Sequence, residues 1–317
     1  MTPLAERAER LATTFAGVNV ARRFPLLLEV PLETQVRSLL SVAVSAYIFA
    51  SLRHSYPEQS LPAVAGWLET YRELILTLVN RTPNGRLEPK REVALEFDMV
   101  QKCVELIFGG WQIDAAVDLM QFPIAVRVQD GRPDPSIENR PYATSKVHTD
   151  IWTGEPAICG AVLIPVLGDV EATGLEFYEP RVASVEEFVQ TYRDYLDVAR
   201  FVDGARPYGA MREGYAYIFD SFCLHRTAKN NGGIRVSIDF RFTFKRKLPS
   251  DIDRESWRLQ QYIELERWYT ARSATFVEPQ DTFEDTIRKF GRPAASSIAP
   301  GSGAVLITRK SPLAPRA

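Results

Sequence analysis

Apolar positions change their spacing twice along the chain, and those changes divide it into three regions. From Glu33 to His54 they recur at helical spacing among good helix formers. The pattern returns over Leu61–Leu78 after a break at Ser55–Gln59, and again over Phe97–Met120, loosened by Gly109-Gly110. Beyond that point the apolar residues gather into short β-branched and aromatic runs: Pro123–Val128, Ala157–Leu167, Leu175–Tyr178, Tyr215–Phe219 and Arg235–Phe244. Each is bounded by Gly, Pro or Asp, which predicts the strands of an all-β barrel or sandwich. A helical insertion, Ser184–Phe201, interrupts them. After Lys247 helical spacing resumes over Asp251–Tyr269 and Thr282–Phe290. The tail from Pro293 is rich in Pro, Ser, Gly and Ala, with one candidate strand at Ala304–Thr308. The expectation is an α+β chain forming a single domain over 1–317: a helical N-terminal region over residues 1–120, a β-core over 121–247, and C-terminal helices with a tail over 248–317.

Composition narrows the function classes. Apolar residues make up 45% and charged residues 25%, the range of an ordinary globular protein rather than a disordered one. A net charge of −2 leaves no electrostatic footprint for nucleic acid or an anionic membrane. Cys103, Cys159 and Cys223 are widely spaced and form no CxxC, so reduced thiols in a cytoplasmic protein are expected. The N-terminus alternates acidic and basic residues and lacks the apolar core of a signal peptide. The most apolar run, Leu39–Ala50, is too short and too serine-containing to span a bilayer. A soluble monomer or weak homodimer acting on a small molecule, with no nucleic-acid or membrane partner, is the expectation.

Only three histidines are present, His54, His148 and His225. His54 sits at the end of a helical run, where a cation is electrostatically favoured, and needs no further explanation. His148 and Asp150 stand at i and i+2, so in extended backbone an imidazole and a carboxylate project to one face. His225 follows the Tyr215–Phe219 run after a turn. Two imidazoles and one carboxylate on one face bind iron(II) and keep open positions for a bidentate co-substrate and oxygen.

The segments His148-Thr149-Asp150, GYAYIFDSFCLHRT (214–227) and IRVSIDFRF (234–242) resemble the iron(II)/2-oxoglutarate-dependent oxygenase superfamily, in particular its phytanoyl-CoA-hydroxylase-like and antibiotic-biosynthesis branches. The resemblance covers roughly residues 121–247. It implies a double-stranded β-helix (jelly-roll, cupin-like) core, His148, Asp150 and His225 as catalytic metal ligands, and Fe(II), 2-oxoglutarate and O2 as cofactor and co-substrates. It also implies oxidation of a substrate C–H bond while 2-oxoglutarate becomes succinate and carbon dioxide. Hydroxylation is the default outcome, with desaturation, cyclisation or epoxidation as variants. The basic residue about ten positions after the distal histidine binds the far carboxylate of 2-oxoglutarate in that family, and Arg235 stands there.

The residues support this independently. Arg235, Ser237, Asp239 and Arg241 alternate with Val236, Ile238, Phe240 and Phe242, which gives one polar and one apolar strand face. An arginine fork suits a carboxylate better than lysine does, and Ser237 offers a second hydrogen bond. At the usual strand rise of roughly 3.3 Å per residue, Arg241 is expected about 20 Å beyond Arg235, out of reach of the metal and ion-paired with Asp239. Trp152 is expected on the metal side, as a substrate contact or a packing group. The polar, proline-rich segment 129–146 reads equally as a lid or a solvated connection, with Arg132 and Arg140 as its candidate substrate contacts. Arginine outnumbers lysine 30 to 8, consistent with a GC-rich bacterial genome, and the branch resembled implies a specialised metabolite of natural-product biosynthesis as substrate. Two alternatives stay open: a cupin-like metal enzyme independent of 2-oxoglutarate, and a non-catalytic small-molecule-binding barrel.

Overall fold

A computed structural model describes residues 2–141, 143–180, 186, 194–202, 207–209, 211–251 and 257–272. Eleven strands are found among them: β1 Ala21–Phe24, β2 Leu27–Pro31, β3 Arg86–Leu87, β4 Val117–Gln121, β5 Ala125–Asp130, β6 Cys159–Gly168, β7 Leu175–Tyr178, β8 Tyr215–Asp220, β9 Leu224–Thr227, β10 Ile234–Phe244 and β11 Tyr262–Glu264. Nine of them form one antiparallel sheet in which β1, β2, β8, β6, β10, β4 and β11 lie side by side. β5 pairs with the first half of β10, and β3 with β5. β7 and β9 form a separate antiparallel pair.

The apolar face of β10 accounts for the core. Val236, Ile238, Phe240 and Phe242 are fully buried and pack against the helices. The Ala94–Gly110 helix contributes Phe108, whose ring lies 6.2 Å from Phe240 and 6.1 Å from Phe242. α2 (Thr34–Ser55) runs beside it, burying Leu40, Val44, Tyr47 and Ile48. This helix is 22 residues long, extending well beyond the apolar run seen in the sequence. By length and composition alone it could cross a membrane. Its buried side packs against the Ala94–Gly110 helix and β6, while Leu39 and Val42 are exposed. α1 (Pro3–Thr14) is capped by Thr2 and begins with Pro3. It buries two arginines completely. Arg7 Nε donates to Asp220 at 2.7 Å and its Nη1 to Asp251 at 2.7 Å, while Arg10 also pairs with Asp251.

Four helical expectations are corrected. The N-terminal region is not wholly helical, because the Leu27–Pro31 run pairs with β8 and extends the sheet through a hairpin with β1. The Leu61–Leu78 segment is reduced to two short turns, Trp67–Thr70 and Arg72–Leu76, the first entered through Gly66 at φ 68°. The third helix ends at Gly110, and Val117–Met120 leave it to pair with β10 and β11. Within Asp251–Tyr269, residues 257–261 form a 3-10 turn and Tyr262–Glu264 a strand, leaving a helix only at Leu265–Trp268. Of the Ser184–Phe201 insertion the structure describes a 3-10 helix, Tyr195–Val202. The expectations for 282–290 and 304–308 lie outside the described residues.

Candidate metal centre

The proximity of the two distant histidines originates in the backbone. His148 and His225 exchange N–H···O hydrogen bonds, 2.9 Å each way, forming an isolated antiparallel bridge. Their rings therefore stand side by side, with centroids 4.5 Å apart. Each Nδ1 faces a backbone carbonyl, Lys146 O at 2.8 Å and Cys223 O at 3.0 Å. A carbonyl only accepts, so Nδ1 carries the proton and Nε2 keeps its lone pair for the centre.

Thr149 is extended, at φ −115° and ψ 157°, which turns His148 and Asp150 to the same side as the i, i+2 spacing predicted. The motif is nevertheless not on a strand. Asp150 opens a 3-10 turn, Asp150–Thr153, that closes at Gly154 with φ 94°. One ligand atom from each of His148, Asp150 and His225 lies within 4.8 Å of the others, and all three residues are buried. Burial holds both imidazoles neutral: His148 is pushed down to about 3, with His225 adding to the effect, and His225 is also lowered. Burial alone would push the Asp150 carboxyl up, but the Arg241 guanidinium beside it reverses this and holds it below the usual carboxylate range. Neutral imidazoles beside an ionised carboxylate are the protonation states that a divalent metal needs.

These three groups line one cavity of about 370 Å³, together with Arg127, Trp152, Tyr195, Phe219, Arg235, Asp239, Arg241 and Arg258 among others. Arg235 is 1% exposed, and its Nε has no hydrogen-bond partner among the described residues. Its nearest recorded polar neighbour is the Met211 sulfur, 4.0 Å from Nη1. Burial pushes its pKa down to about 10. The Ser237 hydroxyl, on the same face of β10 and fully buried, is likewise without a partner. A buried guanidinium Nε and a buried hydroxyl left unsatisfied side by side on one strand are costly unless a ligand completes them.

The expectation for Arg241 is overturned. Strand distance separates its Cα from that of Arg235, but both side chains reach the same cavity. Arg241 donates to both oxygens of Asp150, Nε to Oδ2 at 2.9 Å and Nη2 to Oδ1 at 3.1 Å. Arg241 meets the centre because Asp150 arrives on a loop whose position the strand count could not give. The expected pair with Asp239 is present at 3.3 Å, although Asp239 is held more closely by Arg127 at 2.6 Å.

Trp152 lines the cavity, its ring 6.0 Å from Tyr195 and from Phe201. Arg132 and Arg140 are not brought to it. Arg132 is exposed and paired with Asp130 and Glu73, and Arg140 is exposed on the same loop. The loop reaches the cavity instead through Thr144, whose carbonyl accepts from Thr227 N at 2.7 Å. Sequence reasoning missed Tyr195, which stacks on His148 at 5.0 Å and 5°, because nothing local ties residue 195 to residue 148. It also missed Glu155. That buried carboxylate accepts from Tyr262 at 2.6 Å and Arg258 at 2.8 Å and lies 3.6 Å from Arg241. Its place just past Gly154, in the turn that Asp150 opens, was the available signal.

No protein-family model and no curated protein matches the chain. Its structure is similar to several solved structures, among them a non-haem, α-ketoglutarate-dependent carbocyclase. The carbocyclase SnoK from nogalamycin biosynthesis shares 13% identity at a TM-score of 0.42, covering 68% of this chain and 79% of that one. AviO1 from Streptomyces viridochromogenes shares 14% at 0.42, covering 78% and 98%. EctD from S. alaskensis, with bound Fe, shares 12% at 0.36, covering 82% and 85%. At these scores the likeness carries no argument about chemistry, which rests on the residues themselves.

Proposed function

We propose that the protein is a non-haem iron(II) oxygenase that uses 2-oxoglutarate and oxygen to oxidise a C–H bond of a small specialised metabolite. We read its two sheets as the facing halves of a double-stranded β-helix, since β6, β8 and β10 from one and β7 and β9 from the other line the same cavity. The observation that carries the proposal is a pairing across that cavity. Two neutral imidazoles and a carboxylate converge at one place, and Arg235, its buried Nε without a partner among the described residues, lines the same cavity.

The donor set fits iron(II). Three protein ligands leave room for a chelating 2-oxo acid and oxygen, whereas a structural zinc would call for a fourth protein ligand. Bound iron would supply oxygen activation at the expense of 2-oxoglutarate, which leaves as succinate and carbon dioxide. The chain's own residues do the rest. Arg235 and Ser237 bind the far carboxylate of the co-substrate, Arg241 fixes the orientation of Asp150, and the Nδ1 hydrogen bonds fix both imidazole planes. Trp152, Tyr195 and Phe219 supply the apolar wall that keeps water from the reacting carbon.

The test is succinate formation from 2-oxoglutarate by iron-loaded protein, with and without oxygen. Strict dependence on iron and oxygen is the expected result. Full activity with zinc alone would point to a hydrolytic metal enzyme and end this reading. Metal binding without any 2-oxoglutarate binding would favour the cupin-like alternative.

A further inference from the structure

The cavity walls are unevenly charged. Arg127, Arg235, Arg241 and Arg258 line the cavity, and Arg86 lies beside Arg127 as its cross-strand partner in the β3–β5 register. Among the described residues, three carboxylates stand against these five guanidiniums: Asp150, Glu155 and Asp239. Arg241 takes Asp150, Arg127 takes Asp239, and Arg258 shares Glu155 with Tyr262 and Arg241. Arg86 has no ion pair within 4 Å among the described residues; its Nη2 donates to the Pro123 carbonyl at 3.3 Å, and its buried Nε has no hydrogen-bond partner among those residues. A divalent metal and the 2-oxoglutarate dianion cancel each other, so loading the site leaves the positive excess in place. Arg127 and Arg258 are the more open of the lining arginines, at 21% and 29% side-chain exposure, against 12% for Arg241.

We propose that the substrate of this site carries a carboxylate, held at the cavity rim by Arg127 and Arg258 with Arg86 beside Arg127, while its apolar body lies against Trp152 and Phe219. This rests on the oxygenase reading above for the place of the reacting carbon, but the charge excess is a property of the walls. Charge-assisted hydrogen bonds from planar guanidiniums favour a carboxylate over an isosteric neutral amide by tenfold or more, on the order expected for such pairs in a partly desolvated site. The cavity volume, at the small end of the range for small-molecule sites, limits the body to a compact acid rather than a polymer.

The experiment compares matched acids and primary amides on protein loaded with iron and saturating 2-oxoglutarate without oxygen: butyrate with butyramide, 3-phenylpropionate with 3-phenylpropionamide, and indole-3-acetate with its amide. Calorimetry gives the affinities, and the visible band of the iron–2-oxoglutarate complex reports whether the co-substrate stays bound. At least one acid should bind about tenfold or more tighter than its amide. Arg258→Gln, and separately Arg127→Lys, should shrink that ratio while the band persists. An amide bound as tightly as its acid, no binding by any acid at millimolar concentration, or a preference that survives both substitutions overturns the proposal. Absence of the band in the unsubstituted protein is a different failure. It removes the oxygenase reading, and the acid–amide comparison on the iron-loaded protein still decides the charge preference.

Discussion

Replacing Arg235 by leucine should separate stability from function. In the unliganded protein this guanidinium is fully buried, has no carboxylate partner among the described residues, and has a pKa lowered to about 10 by burial. Its ordinary value is 12.5, so at neutral pH keeping it charged in the fold costs about 3 kcal/mol. The sign follows from linkage. A cation with a depressed folded pKa destabilises the fold wherever both states are protonated, and that cost fades only as pH rises through the folded value. Leucine removes the charge and keeps an apolar side chain against Met211, so the unliganded variant should melt no lower than the parent. The orphaned Ser237 hydroxyl and imperfect packing offset some of the gain. Binding of 2-oxoglutarate should fall in the opposite sense. Losing a charge-assisted pair in a dry pocket costs on the order of 2–4 kcal/mol, or about 30- to 1000-fold in affinity. Thermal melts of the metal-free protein, with 2-oxoglutarate titrations of the iron-loaded protein without oxygen, read the two quantities separately. Unchanged 2-oxoglutarate affinity would remove Arg235 from the co-substrate site. A markedly lower melting temperature with weaker binding would make it a structural residue whose loss damages the cavity.

Arg241→Leu should behave in the reverse way: it strips Asp150 of both its hydrogen bonds and leaves buried carboxylates uncompensated, so stability should drop by about 3–5 kcal/mol and iron affinity should fall with it, as chemical denaturation and metal titration would show. His148→Ala, Asp150→Ala and His225→Ala should each weaken cobalt or iron binding severely while leaving the circular dichroism spectrum intact, because the sheet is held by its apolar faces; wild-type affinity in His225→Ala would break the ligand assignment. The metal-free protein should lose stability as pH falls from about 6.5 toward 3, since the unfolded chain then binds protons that His148 in the fold refuses; the loss from that group is on the order of 4–5 kcal/mol, and equal urea midpoints at pH about 7.5 and about 5 would contradict it. Gly168→Ala should destabilise by roughly 2 kcal/mol or more, because the residue sits at φ 84° and a Cβ would run into the Ile234 carbonyl oxygen where β6 pairs with β10; an unchanged melting temperature would disprove that close approach.

Much of this site was readable from local pattern. The i, i+2 placement of His148 and Asp150 needed only an extended Thr149, and period-two alternation put Arg235, Ser237, Asp239 and Arg241 on one face of β10. Strand runs were legible for the same reason, since β-branched and aromatic residues clustered between Gly, Pro and Asp depend only on neighbours a few positions away. What the sequence could not contain was distance across the fold. The hairpin at residues 21–31 reads as apolar residues among helices until β8 offers it an edge, and β4 reads as the end of a helix until β10 and β11 pair with it. The same holds at the centre. A count along β10 placed Arg241 far from the metal, yet Asp150 is delivered by a loop and meets it there, while Tyr195 arrives from another segment to complete the walls. Residue type and spacing determined which side chains are available for chemistry. Which arginine holds Asp150 and which is left without a carboxylate among the described residues was decided by tertiary structure, because hydrogen bonds between segments form only once packing has fixed both ends.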